Sequence, residues 1–160
     1  MSHQSCLSQD SLEILSMLCK HKPLYHLSFE CHDGEVFIPR QMDKDAVMEG
    51  EDWKTSRICV STSIDGALTS ILDSDLMPIG KVLWVHVIDN LQKLASNGSI
   101  YKPSILEVPD ADVTGEHWLT APAKLKAIGQ VKVIDIAEDS LAYVCCGTED
   151  FAARFKWRWV

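Results

Sequence analysis

A chain of 160 residues is long enough to build one core of its own and short for two domains. Its apolar share of 46 % and charged share of 24 % are those of an ordinary folded protein, which excludes disordered, collagen-like and coiled-coil chains. The formal net charge of −8 argues against sequence-independent binding of nucleic acid, which needs a cationic surface, and suits a soluble protein or one that docks on a basic partner.

No run reaches the roughly 18 apolar residues of a membrane span. The start, MSHQSCLSQDS, lacks the basic-then-apolar pattern of a secretory signal. Six cysteines stand at 6, 19, 31, 59, 145 and 146 without CxxC spacing, and Cys19 and Cys59 lie inside apolar stretches. That usage fits small core residues in a reducing cytoplasm.

Residues 9–20 carry Leu12, Ile14, Leu15, Leu18 and Cys19 at helical spacing, with Asp10 or Ser11 as cap, so residues 1–22 are expected to hold an N-terminal helix ended by Pro23. Leu24–Phe29 reads as a short strand. Residues 30–56 are polar and read as a long irregular loop, with a brief extended stretch at Val36–Ile38. Arg57–Ser63 reads as a second strand, followed by a helix over Ile64–Leu72 that buries Ala67, Leu68, Ile71 and Leu72. Lys81–Ile88, KVLWVHVI, is the clearest strand, with Trp84 expected in the core.

Asp89–Ser96 is a candidate helical turn stopped by Asn97-Gly98. Pro103 and Pro109 predict an irregular stretch. Glu116–Thr120 and Ile128–Ile136 are expected strands, and Leu141–Cys146 is either a strand or a short helix. In the tail, Phe155, Trp157 and Trp159 alternate with Lys156 and Arg158. Strands dominate without regular β–α alternation. The expected fold is therefore a single α+β domain, a bent, mainly antiparallel sheet with a few short helices.

Standard chemical motifs are missing. There is no GxGxxG, no GxxxxGK[ST], no HExxH and no GxSxG. Cys31-His32-Asp33 is too tightly spaced to face one metal, so no metal site is expected. What remains is His26 on a first strand, Ser61-Thr62-Ser63 ending a second strand before a helix, and Glu116 opening a later one. Each has an ordinary role available: a half-buried histidine, a helix cap at Ser63, a solvated glutamate.

Together, LYHLS, ICVSTSIDGAL and the late Glu116 resemble the ADP-ribosyltransferase-like fold family, across about residues 24–120. Members carry an Arg or His on a first strand, a Ser-Thr-Ser or Tyr element on a second, and a Glu on a third. The resemblance implies NAD as substrate. Glu116 would be the catalytic carboxylate that stabilises the oxocarbenium-like ribose. His26, Ser28, Ser61, Thr62 and Ser63 would hold ribose and nicotinamide, and Arg40 and Arg57 the pyrophosphate. The product would be a modified or inactivated macromolecular target. Leu27 follows His26 where many His-type members have Gly, and Thr114 stands where some arginine-modifying members carry an acidic residue or Gln; a catalytically dead copy of the fold is open alongside an active one.

A reading of a different class stays beside it. An acidic chain with Trp53, Trp118, Trp157 and Trp159 as anchors and an acidic loop over Asp43–Asp52 would be a non-catalytic inhibitor that blocks a basic protein surface, in the manner of phage or mobile-element accessory proteins. For Arg57, capping the acidic loop around Glu49–Asp52, whose charges need partners, is preferred on cost over the pyrophosphate role.

Overall fold

Nine strands and three short α-helices make up the computed structural model, which describes residues 22–72, 80–137, 140–146 and 158–159. The strands are β1 Tyr25–Ser28, β2 Val36–Phe37, β3 Ile58–Ser61, β4 Val82–Ile88, β5 Ile100–Tyr101, β6 Glu116–Leu119, β7 Ala123–Ala137, β8 Ser140–Cys146 and β9 Arg158–Trp159. The helices are α1 Ile64–Leu72, α2 Leu91–Ser96 and α3 Ala111–Thr114. The expected N-terminal helix and the side chains of the aromatic tail lie outside the described residues.

Among the described residues every strand pairing is antiparallel. The order is β5-β6-β3-β1-β4-β7-β8-β9, with β2 also paired to β7. The expected α+β class and mainly antiparallel sheet are what the chain adopts. Register shifts at Val85/His86 and Val133/Asp135 break the ladders on either side of β7, and such irregularities bend a sheet.

Two apolar faces follow from strand alternation. On one, Leu27, Leu83, Val85, Val131 and Val133 pack against Ile64, Ala67 and Leu68 of α1. On the other, Leu24, Ile58, Val60, Ile88 and Leu125 pack with Leu94 of α2. Trp84 is half-buried rather than a core residue. Its row is Ser28, Trp84 and Gln130, while α2 covers the other end of β4, at Ile88.

Two expected irregular stretches are partly ordered. Residues 30–56 contain β2, a 3-10 turn at Lys44–Ala46 and a main-chain bridge between Arg40 and Arg57. Residues 111–114 form α3, which packs against α1. That packing needs Gly66. A Cβ there would sit 1.8 Å from the Thr114 carbonyl oxygen and 2.6 Å from Ser61 Oγ. Gly66→Ala is therefore expected to cost about 1–3 kcal/mol, although alanine is the better helix former, because backbone must move to admit the methyl. A denaturant midpoint equal to or above that of the parent chain would refute this contact.

Candidate functional site

Strand register decides which of the singled-out residues meet. Tyr25 lies opposite Ser61, and Ser61 lies opposite Glu116, so these three form one row across β1, β3 and β6. Ser61 Oγ lies on the α1 side of the sheet, near Gly66, so the whole row faces α1. His26, one residue on from Tyr25, faces the other side. Its ring packs edge-on to Phe37 at 5.4 Å, and its Nδ1–H donates to the Cys59 carbonyl at 3.1 Å. The structure therefore brings Ser61 and Glu116 to one face and places the His26 ring and Ser28 on the other.

The hydroxyl run is engaged locally. Ser61 Oγ donates to the Thr114 carbonyl, tying β3 to α3, and accepts from the Ser63 N–H at 3.2 Å. Ser63 Oγ accepts from the Gly66 N–H at 3.0 Å, which caps α1. Thr62 donates its main-chain N–H to the Gly115 carbonyl at 3.1 Å. Gly115 itself has φ +64, and a side chain there would strike Thr62 Oγ1.

A cleft of about 500 Å³ opens on the α1 face. Its floor includes Tyr25, Leu27, Cys59, Ser61 and Glu116. Ala67, Ser70 and Ile71 of α1 form one wall, and Met42 to Glu51 of the long loop form the other. Asp45, Glu51, Asp110 and Glu116 all line it.

Glu116 is 7 % exposed, not the solvated residue expected at a strand start. Its Oε1 accepts from Trp118 Nε1 at 2.7 Å. Burial pushes its carboxyl above the ordinary range, and the nearby Glu51 charge adds to this; the Trp118 and Cys59 side chains and Arg57 act in the opposite sense. The Cys59 thiol is pushed up to about 12, chiefly by burial and then by the Glu116 charge, so it is not a nucleophile at neutral pH.

Arg57 is 1 % exposed. Its Nη2 donates to Glu51 Oε1 at 2.7 Å, its Nη1 donates to the Asp52 carbonyl, and its guanidinium lies 4.1 Å from the Trp118 ring centre. The acidic loop is thus held by Arg57. Arg40 is exposed. Trp118, proposed above as a surface anchor, is instead 1 % exposed and packs with Val108 and Ala111, because its face of β6 is covered by the 104–114 segment. Trp53 is half-buried, with Lys54 Nζ 5.5 Å from its ring centre.

Sequence reasoning passed over His86. It is fully buried on β4 and accepts the His32 main-chain N–H at Nε2, at 3.0 Å. The available signal was its parity with Trp84 and Ile88 in KVLWVHVI. Among the described residues no group of three His, Cys, Asp or Glu has metal-holding geometry, and no helix is long and apolar enough to cross a membrane.

The site belongs to an α+β protein built on one antiparallel sheet. Compared with known proteins, the chain matches no family model, no curated protein and no solved structure.

Proposed function

We propose that the protein is a binding module whose acidic cleft receives a basic side chain from a protein partner. One observation carries this reading. The cleft is lined by four carboxylates set among apolar groups such as Leu27, Ala67 and Ile71, while Arg57 beside it is committed to Glu51 and the loop carbonyls. A guanidinium or ammonium would replace water there with fixed opposite charge. Ile105, Leu106 and Val113 flank Asp110 in sequence and are 58 %, 86 % and 80 % exposed. Exposed aliphatics in the segment that supplies Asp110 to the cleft suit a macromolecular partner better than a free small cation. The net charge of −8 favours a basic one.

An ADP-ribosyltransferase-like activity on NAD is the second reading. It is supported by Ser61 and the buried Glu116 sharing one row on the cleft floor. It asks the same cleft to hold a pyrophosphate among carboxylates.

Titration calorimetry with an acetylated tri-arginine peptide, and separately with NAD, tests the two. The peptide is expected to bind, more weakly as salt rises, with Asp45→Asn and Glu116→Gln each lowering affinity about tenfold. NAD binding that is lost in Glu116→Gln would replace this reading with the enzymatic one. Peptide binding indifferent to both substitutions, or absent, would sink it.

Glu116→Gln also carries a stability prediction. A carboxyl whose folded value is raised contributes stability below the unfolded value, and that contribution is lost as pH rises through the folded value. Above the unfolded value the buried Glu116 carboxyl is therefore a growing cost. Gln keeps an acceptor for Trp118 Nε1 without the charge. The variant is expected to gain about 0.5–2 kcal/mol at pH 7, shrinking as the pH falls towards 4, in thermal melts across that range.

A further inference from the structure

We propose that His86 is a proton-operated latch holding the loop between β1 and β2 against the sheet, a role independent of the cleft on the opposite face. The latch is one hydrogen bond, from the His32 main-chain N–H to His86 Nε2 at 3.0 Å. An imidazole nitrogen accepts only when it carries no proton. The His86 proton therefore resides on Nδ1, which is buried and meets the His26 main chain outside ordinary hydrogen-bond geometry, a contact that favours the charged ring and works against burial. A second proton, placed on Nε2, turns the acceptor into a donor aimed at a donor. The imidazolium has no alternative tautomer to offer, so the bond breaks.

The surroundings bear on that proton from three sides. On β1, the His26 ring lies 6.3 Å away and already donates its Nδ1–H to Cys59, with the Arg40 charge acting on it. In the loop, the His32 ring lies 5.8 Å away. Its Nδ1 meets Glu35 Oε2 and its Nε2 meets Ser28 Oγ, each at 3.0 Å. Asp33 and Glu35 supply negative charge. On β7 the register partner of His86 is the uncharged Ala127, with Lys126 next to it and exposed. Burial is the leading influence on both His86 and His26 and favours their neutral forms.

The part that opens is bounded. Asp33 Oδ1 accepts the Ala127 N–H, and Gly34 donates to the Leu125 carbonyl, each at 2.9 Å, so residues 33–34 stay pinned to β7. The stretch before them, Phe29 to His32, is held by the His86 bond together with contacts that do not depend on the His86 proton: the Glu30 N–H donates to Ser28 Oγ at 3.2 Å, the His32 ring packs on Phe37 at 4.8 Å, and Lys81 Nζ lies 5.1 Å from the Phe29 ring centre, so the latch governs the His32 amide and not the whole loop.

Amide hydrogen exchange of His32, with ring-nitrogen NMR of the histidines, between about pH 7.5 and 5 tests the latch. Corrected for intrinsic exchange, opening of the His32 amide is expected to grow about tenfold per pH unit below about 6.5, until His86 titrates in the closed state. In His86→Gln the side-chain oxygen accepts the same N–H and has no proton to gain, so protection is expected to persist and lose its pH dependence. Unchanged His32 protection down to pH 5 in the parent chain would overturn the proposal. So would the same pH response in His86→Gln. Should that variant fail to fold, the parent chain still decides: opening must track protonation of the His86 ring, and tracking the His26 or His32 ring instead refutes the latch.

Discussion

Trp118→Ala is expected to destabilise the protein by about 3–5 kcal/mol, a large part of the 5–15 kcal/mol that usually holds a domain together. Three losses coincide. The indole is among the largest fully buried side chains, so its removal leaves a cavity between Val108, Ala111 and Cys59. Glu116 Oε1 loses its 2.7 Å donor while remaining buried. Arg57 loses the ring beneath its guanidinium. Trp118→Phe separates these terms, since it keeps most of the packing and removes the N–H. It is expected to cost about 1–3 kcal/mol, the range for leaving a buried acceptor without its donor. Urea unfolding of both variants checks the pair. A loss below about 1 kcal/mol for alanine would mean that this end of the sheet collapses freely around the gap.

Arg57→Met is expected to cost about 3 kcal/mol. The side chain is among the most buried in the protein and holds Glu51 Oε1 as well as the Asp52 and Thr55 carbonyls. Methionine fills similar space, removes the orphaned Nε–H and leaves the other groups without their donor. The double variant Arg57→Met with Glu51→Gln is expected to recover part of the loss, because no uncompensated carboxylate remains. A double-mutant cycle reads that coupling directly. Strict additivity would show that the Arg57–Glu51 pair contributes nothing and that Arg57 acts only through carbonyls and packing. Because Glu51 also lines the cleft, loss of Arg57 is expected to loosen that wall and weaken binding of the arginine peptide, despite raising the net negative charge.

Local pattern made several elements legible. The apolar spacing of Ile64–Leu72 predicts α1 at the bounds it has, and the Val-rich run at Lys81–Ile88 predicts β4. β7 starts five residues before the expected Ile128, and alternation carries that signal: Ala123 and Leu125 are buried while Lys124 and Lys126 are exposed. Which residues share a face was not legible. Alternation separates Tyr25 from His26, but only the register of β1 against β3 and β3 against β6 decides which of them joins Ser61 and Glu116. A one-residue slip would have reversed the answer. Burial of Trp118 was equally hidden, because the segment that covers it is long-range in space and short on apolar periodicity.

The position of β1 between β3 and β4 also bears on how the chain reaches its fold. The β7–β8 pairing joins neighbours in sequence and can close early. The central strand cannot: β1 has no partner until β3 and β4 exist, and β3 lacks one edge until β6 arrives. During synthesis from the N-terminus, β1 therefore waits for these partners until β3 and β4 have been added. Its shortness, with polar residues at His26 and Ser28, limits what that waiting edge can recruit.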